Sequence, residues 1–87
     1  MILSPETPRA KAIGRVAING SAVTARFPEK DDLWRVTCKK LLYTWEFTRW
    51  QRTFGAGVNL QHRAAELSHR LLHAGFIIEV DDCIAEL

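Results

Sequence analysis

Two short β-prone runs on either side of Asn19-Gly20 form the clearest pattern in the chain. Apolar and polar positions alternate through residues 11–18 and 21–27, as they do in strands with one buried face. Asn-Gly is a preferred pair for a two-residue turn, because both residues tolerate a positive φ. The pattern predicts a β-hairpin in which Val16 faces Val23.

This pairing gives the hairpin an apolar face, which must be buried, and a basic face on the other side. The apolar face consists of Ala12, Val16, Ile18, Val23 and Phe27. The opposite face carries Lys11, Ile13, Arg15, Thr24 and Arg26.

An amphipathic helix is predicted after the hairpin, because Pro28 ends the preceding strand. The carboxylates of Asp31 and Asp32 suit the positive end of a helix that runs to about Leu42. Its predicted apolar side consists of Leu33, Thr37 and Leu41, flanked by Trp34 and Cys38.

The aromatic segment 43–54 is rich in Thr and poor in helix formers, so it predicts further strand structure. A turn within residues 46–49 places Trp45 and Trp50 on the two flanks of a second hairpin. The segment 55–59, GAGVN, is predicted to be a loop.

A second helix is predicted over residues 60–74. Asn59 suits its N-cap, and Gly75 followed by Phe76 is typical of a helix C-terminus. Its apolar stripe consists of Leu60, Ala64, Leu67 and Leu71. A final strand is predicted at residues 76–80.

The predicted elements follow in the order ββαββαβ. This order predicts an α+β domain, in which two helices pack on one face of a small, mostly antiparallel sheet. We expect a flexible N-terminal tail at residues 1–8, a single domain at residues 9–82, and a short C-terminal tail at residues 83–87.

Composition excludes several classes of protein. The 87 residues are 47% hydrophobic and 25% charged, which suits one globular domain and excludes a disordered tail or a disulfide scaffold. No apolar run is long enough to span a membrane, and residues 1–11 lack the apolar stretch of a signal peptide. Cys38 and Cys83 are therefore expected to be reduced thiols in the cytoplasm, with a bridge between them as the alternative.

The predicted basic face of the first hairpin is the first candidate site. The net charge is only +2, yet residues 1–28 carry four cations and one acid. Lys11, Arg15 and Arg26 project from one side, where same-face residues lie about 7 Å apart, close to the phosphate spacing of a nucleic-acid strand. The alternative is an ordinary solvated sheet face, on which charges discourage edge-to-edge pairing.

The second candidate site is the second hairpin, where Trp45 and Trp50 alternate with Arg49 and Arg52. Aromatic rings stack on bases, and arginines hold phosphates, in proteins that bind single strands. Tryptophans also pack a sheet against a helix, so the alternative for both of them is a place in the core. The two arginines have no evident role in a core.

The third candidate site is a stripe of His62, Glu66, His69 and His73 on the second helix. His69 and His73 are one helical turn apart, which is a spacing that suits zinc. An exposed helix offers nothing to orient such ligands, and neighbouring arginines are ready partners for Glu66. We therefore predict no metal and no cofactor. We expect the exposed histidines to become protonated at about pH 6.5.

A series of short motifs runs from Val23 to Val80. They are Phe27-Pro28, Asp32-Leu33, Lys39, Trp45, Trp50, Ala65-Glu66-Leu67, Leu71-Leu72 and Gly75-Phe76-Ile77. Their order resembles a small module found near the N-terminus of some SNF2-type and phage DEAD-box helicases, which is related to the HARP domain. Leu41-Leu42-Tyr43 stands where a Pro-Gly-like segment is usual, and Phe54-Gly55 stands where a proline is usual.

The resemblance implies that the chain engages DNA on behalf of an ATPase and that its two tryptophans are partly structural. The 87 residues contain no motor domain, so we expect binding without catalysis and no small-molecule substrate. Our first hypothesis is a bacterial or phage module that binds single-stranded or forked DNA, or RNA. Its expected contacts are Lys11, Arg15, Arg26, Arg49, Trp50 and Arg52. The alternative is a protein-interaction subunit, an adaptor or inhibitor that docks on a larger nucleoprotein or helicase.

Overall fold

A computed structural model describes residues 1–86, which form six strands and three helices. The strands are β1 (Ile2–Leu3), β2 (Ile13–Asn19), β3 (Ala22–Arg26), β4 (Thr44–Glu46), β5 (Arg49–Thr53) and β6 (Ile77–Glu79). The helices are α1 (Asp32–Lys40), α2 (Leu60–His73) and α3 (Asp82–Ala85). The predicted α+β class is confirmed, and the structure adds one strand at the beginning of the predicted order and one helix at its end.

The strands form one sheet in the order β1-β6-β2-β3-β5-β4. The sheet is mostly antiparallel, as predicted. Among its neighbouring pairs, only β2 and β6 run parallel. Val16 and Val23 of the sheet meet Leu67 and Leu71 of α2 in the hydrophobic core. Because α1 packs on α2 beside them, the core lies on one face of the sheet.

The first hairpin turns one residue later than the sequence predicts. Its turn consists of Gly20 and Ser21, and Val16 pairs with Ala25 rather than with Val23. Gly20 has a φ of 62°, and a positive φ at the first turn residue alone is the type II′ pattern. The observed pairing is shifted by two residues from the predicted one, which leaves the side chains of β2 and β3 on their predicted faces.

Both chain ends are more ordered than the predicted tails. β1 pairs with β6 at the edge of the sheet, and the Met1 amino group donates a hydrogen bond of 2.8 Å to the Val80 carbonyl. At the other end, α3 packs on α2 and buries Ile84. Apolar side chains explain both corrections, since Leu3 and Ile84 each add to the core. Leu87, the last residue of the predicted C-terminal tail, lies outside the described residues.

The helix ends follow the predicted signals. The side chain of Asp31 accepts hydrogen bonds from backbone N–H groups in the first turn of α1, and Asn59 does the same for α2. Gly75 follows α2 in a left-handed conformation, and Phe76 behind it is fully buried.

α1 buries the flank of the predicted apolar side more deeply than its centre. Its buried residues are Trp34 and Cys38, whereas the predicted Leu33, Thr37 and Leu41 are half-buried. Because a tryptophan buries more apolar surface than a leucine, Trp34 determines which side of the helix faces the sheet.

Candidate nucleic-acid interface

The predicted basic residues share the outer face of the sheet, the face opposite α1 and α2. Arg15 of β2 pairs directly with Arg26 of β3, and both side chains point away from the helices. On the next strand, Trp50 of β5 pairs with Ala25 of β3, which places Arg49 beside Arg26. The sheet therefore brings three arginines together from three adjacent strands.

These arginines line a shallow trough of about 290 Å³ on the outer face, which we call the arginine trough. Its lining consists of Arg15, Ala17, Ile18, Asn19, Thr24, Arg26 and Arg49. The hydroxyl of Thr24 donates a hydrogen bond of 3.4 Å to the Ala17 carbonyl, so this hydroxyl is already satisfied within the sheet. Charged contacts to a ligand must therefore come from the guanidinium groups around the floor.

Acidic partners engage the three arginines to different extents. Arg15 forms ion pairs with Glu79 at 3.0 Å and with Asp81 at 3.3 Å. Arg49 donates a hydrogen bond of 3.0 Å to the neutral Gln51 side chain, and Arg26 is exposed without an ion-pair partner in residues 1–86. Arg26 and Arg49 therefore form no ion pair within residues 1–86, although Glu46 of β4 lies directly opposite Arg49. The charge of Arg15 is balanced by its two acidic partners.

Two of the predicted cationic contacts lie outside the arginine trough. Lys11 is exposed in the segment before β2 and does not line the trough. Arg52 pairs with Val23 and points to the helix side, where it donates a hydrogen bond of 2.9 Å to the Leu41 carbonyl. Its guanidinium lies 4.6 Å from the centre of the Phe54 ring, so Arg52 supports the core instead of facing the trough.

The two tryptophans of the second hairpin have different environments. Trp50 is 9% exposed and belongs to the core, whereas Trp45 is 58% exposed. They pair across β4 and β5, as the sequence predicts, with their ring centres 5.5 Å apart in an edge-to-face arrangement. Both point to the helix side, so neither lies in the trough, and Trp45 rather than Trp50 offers a ring surface to a partner.

Two further exposed apolar residues near Trp45 were not among the predicted site residues. Leu42 is 70% exposed and Phe47 is 87% exposed. Their φ values are 68° and 56°, in a left-handed region that bulky side chains rarely adopt. The sequence did contain a signal for Phe47. A tight turn at Phe47-Thr48 contains no glycine or asparagine, so a bulky residue has to adopt the positive φ that the turn requires.

The histidine stripe of α2 lies on an exposed surface. His62, His69 and His73 are all exposed, and Glu66 pairs with Arg63 at 3.6 Å. Within residues 1–86, no three His, Cys, Asp or Glu side chains are close enough to hold a metal ion. His69 and His73 therefore lack a third ligand in the described part of the chain.

Both cysteines are free thiols in the structure. Cys38 is fully buried, and this burial raises the pKa of its thiol to about 12. Burial also raises the pKa of Tyr43, which lies in the same core. Since the thiolate is the reactive form of cysteine, Cys38 is an inert packing residue.

No family model, curated protein or solved structure matches the chain. Among residues 1–86, the structure contains no helix with the length and apolar character needed to cross a membrane.

Proposed function

We propose that the protein binds nucleic acid on the outer face of its sheet, with Arg26 and Arg49 as its main phosphate contacts. The observation that carries the proposal is the convergence of arginines from β2, β3 and β5 on one open trough. A guanidinium group forms paired hydrogen bonds with phosphate oxygens. An open trough also admits a polymer that continues beyond the protein at both ends.

Neutral donors beside the arginines favour a single strand over a duplex. Asn19 lines the trough, and the Gln51 side chain is hydrogen-bonded to Arg49. Amide side chains of this kind contact sugars and base edges, which a single strand exposes. The proposed ligand is therefore single-stranded or forked DNA, or RNA, and the proposed role is binding without catalysis in the cytoplasm.

The resemblance to a helicase-associated module supports the same ligand class. In that module the tryptophans are partly structural, and Trp50 has a buried position here. The proposal accordingly gives no base-stacking role to Trp50 and none to Arg52, whose guanidinium lies on the helix side. Lys11 is proposed as a peripheral contact, since it is exposed in the segment that leads into β2.

Binding through so few cations is expected to be weak and strongly dependent on salt. With about three phosphate contacts, log K should fall with log[salt] at a slope of about −2, since each contact to a single strand contributes roughly −0.7. Anisotropy of a labelled single-stranded oligonucleotide across a salt titration measures this slope.

A pair of matched variants tests whether the trough is responsible. Arg26→Ala/Arg49→Ala should lose most of the affinity and most of the salt dependence. Lys39→Ala/Lys40→Ala removes the same charge from the last turn of α1 and should bind like the wild type. Unchanged binding by the arginine variant would remove the trough from the interface, and no wild-type binding at low salt would end the proposal.

A further inference from the structure

An aromatic cleft of about 590 Å³ opens on the helix side of the sheet, between α1 and the β4–β5 hairpin. Trp45 and Trp50 of the hairpin line it, together with Phe27, Pro28 and Trp34 from around the start of α1. Concave surfaces of this composition accommodate apolar groups of a ligand. The cleft lies on the side of the sheet opposite the arginine trough.

The cleft adjoins an open edge of the sheet. β4 is the last strand in the sheet order and pairs only with β5 among residues 1–86. Its other row of backbone N–H and C=O groups is therefore available. An extended peptide can add to such an edge as a further strand, and its alternate side chains then lie on the same face as Trp45.

Apolar side chains in an unusual conformation flank both ends of β4. Leu42 precedes the strand and Phe47 follows it, and both are exposed with a positive φ. The positive φ of Leu42 belongs to the end of α1, where the next N–H group donates a hydrogen bond to the Cys38 carbonyl. The positive φ of Phe47 belongs to the β4–β5 turn. Leu42, Trp45 and Phe47 therefore place exposed apolar surface at and beside the open edge.

Trp34, which lines the cleft, carries a buried hydrogen-bond donor. Trp34 is 2% exposed, and its indole Nε1–H has no acceptor in residues 1–86. The opposite edge of the indole packs on Gly14, so the Nε1 edge faces away from that strand. Because Nε1 is enclosed by protein atoms, a ligand in the cleft contacts the apolar ring of Trp34 and not its N–H group.

The charges around the cleft are balanced. Two ion pairs of 3.3 Å, Arg9 with Asp31 and Arg35 with Asp32, neutralise most of them. The remaining charged residues that line the cleft, Glu29 and Lys30, have opposite signs. The complementary ligand is therefore uncharged, which distinguishes it from a polyphosphate.

We propose that the aromatic cleft and the open edge of β4 bind an extended, uncharged peptide segment of a partner protein. The segment adds to β4 as a strand, and a large apolar side chain enters the cleft beside Trp45. This interaction uses the opposite side of the sheet from the arginine trough and does not depend on nucleic-acid binding.

Selection from a phage-displayed library of random peptides on the immobilised protein tests this inference. Enriched peptides should share a large apolar residue within an uncharged stretch. They should bind Trp45→Ser at least about tenfold more weakly than the wild type, as expected for a central aromatic contact. The control Ile13→Ser removes an exposed apolar residue from the outer face and should leave their affinity unchanged.

Backbone N-methylation of an enriched peptide tests strand addition. Methyl groups on one alternating set of amides should abolish binding, and those on the other set should not, because only one set pairs with β4. The indole N–H resonance of Trp34 should shift when the peptide binds.

Three results would overturn the proposal. The first is the absence of enriched peptides, and the second is equal binding to the wild type and Trp45→Ser. The third is a wild-type dimer that Trp45→Ser dissociates, because it would identify a second copy of the chain as the occupant of the edge. Oligonucleotide binding by Trp45→Ser should match the wild type, which keeps this test separate from that of the arginine trough.

Discussion

Gly14 of β2 packs so closely against the indole of Trp34 that a Cβ at position 14 would lie 2.6 Å from Cζ3. The indole has little room to retreat, because Phe27 and Phe76 pack on it with ring centres 4.9 and 5.1 Å away. This contact sets how closely α1 approaches the sheet, and it fixes one wall of the aromatic cleft.

Substitution of Gly14 tests this contact. Gly14→Ala should destabilise the protein by about 1–3 kcal/mol, because the added methyl group overpacks a filled core. For a domain of this size, Tm should fall by roughly 4–8 °C per kcal/mol. Gly55→Ala is the control, since a Cβ at that position has no atom within 4 Å and should leave Tm unchanged. Equal melting of the two variants would contradict the tight contact.

Release of Arg15 from its acidic partners should strengthen nucleic-acid binding. Glu79→Gln/Asp81→Asn removes both ion pairs and leaves the guanidinium of Arg15 available to the trough. The salt slope should steepen by about 0.7, which corresponds to one more phosphate contact. The stability should change little, because exposed ion pairs contribute only about 0–1 kcal/mol.

The control for this variant is Glu6→Gln/Glu86→Gln, which changes the net charge equally at exposed positions outside the trough lining. Its salt slope should match that of the wild type. If both double variants gained affinity equally in the anisotropy titration, overall charge rather than the position of Arg15 would explain the effect.

Local signals in the sequence predicted much of the fold. Asp31 and Asn59 cap the helices that follow them by accepting hydrogen bonds from N–H groups in the first turn. The start of each helix is therefore encoded locally and needs no contact with a distant segment. The two faces of the first hairpin were also predicted correctly. Side chains alternate between the faces with a period of two, so a shift of two residues in the pairing does not move a side chain to the other face. By contrast, β1 and α3 depend on contacts with distant segments, and short elements of this kind carry no periodic pattern of their own.

The candidate site was only partly predictable for the same reason. Arg15 and Arg26 share a face because of strand periodicity, which the sequence shows directly. The ion pair of Arg15 with Glu79 depends on the parallel pairing of β2 with β6, which brings together residues far apart in the chain. Arg52 and the buried Trp50 are two residues apart in β5, so both side chains point to the helix side of the sheet. Arg49 points to the outer face. The sequence shows this difference once the strand is assigned.

Stability should fall at alkaline pH because of Cys38. Its pKa is raised from 9.0 to about 12, so the folded protein keeps a proton that the unfolded chain loses above about pH 9. The stabilisation is complete below that pH and is lost as the pH rises towards the folded value, at up to about 1.4 kcal/mol per pH unit for one proton. Tyr43, whose pKa burial also raises, contributes in the same direction at higher pH.

Urea unfolding as a function of pH measures this effect. Cys38→Ala should lower the overall stability by opening a small cavity, yet it should flatten the alkaline dependence. Cys83→Ala, which removes an exposed thiol, should retain the wild-type dependence. An alkaline slope that is the same in Cys38→Ala and the wild type would contradict a role for the buried thiol.

The most direct test of nucleic-acid binding on the outer face is a resonance map of the isotope-labelled protein, titrated with a single-stranded oligonucleotide at low salt. We predict that the largest shifts occur in the backbone of β2, β3 and β5 and at the side-chain Nε–H groups of Arg26 and Arg49. The indole signals of Trp34 and Trp45, on the opposite side of the sheet, should stay in place. Shifts confined to α2 or to the aromatic cleft, or no shifts at all, would contradict the proposed function.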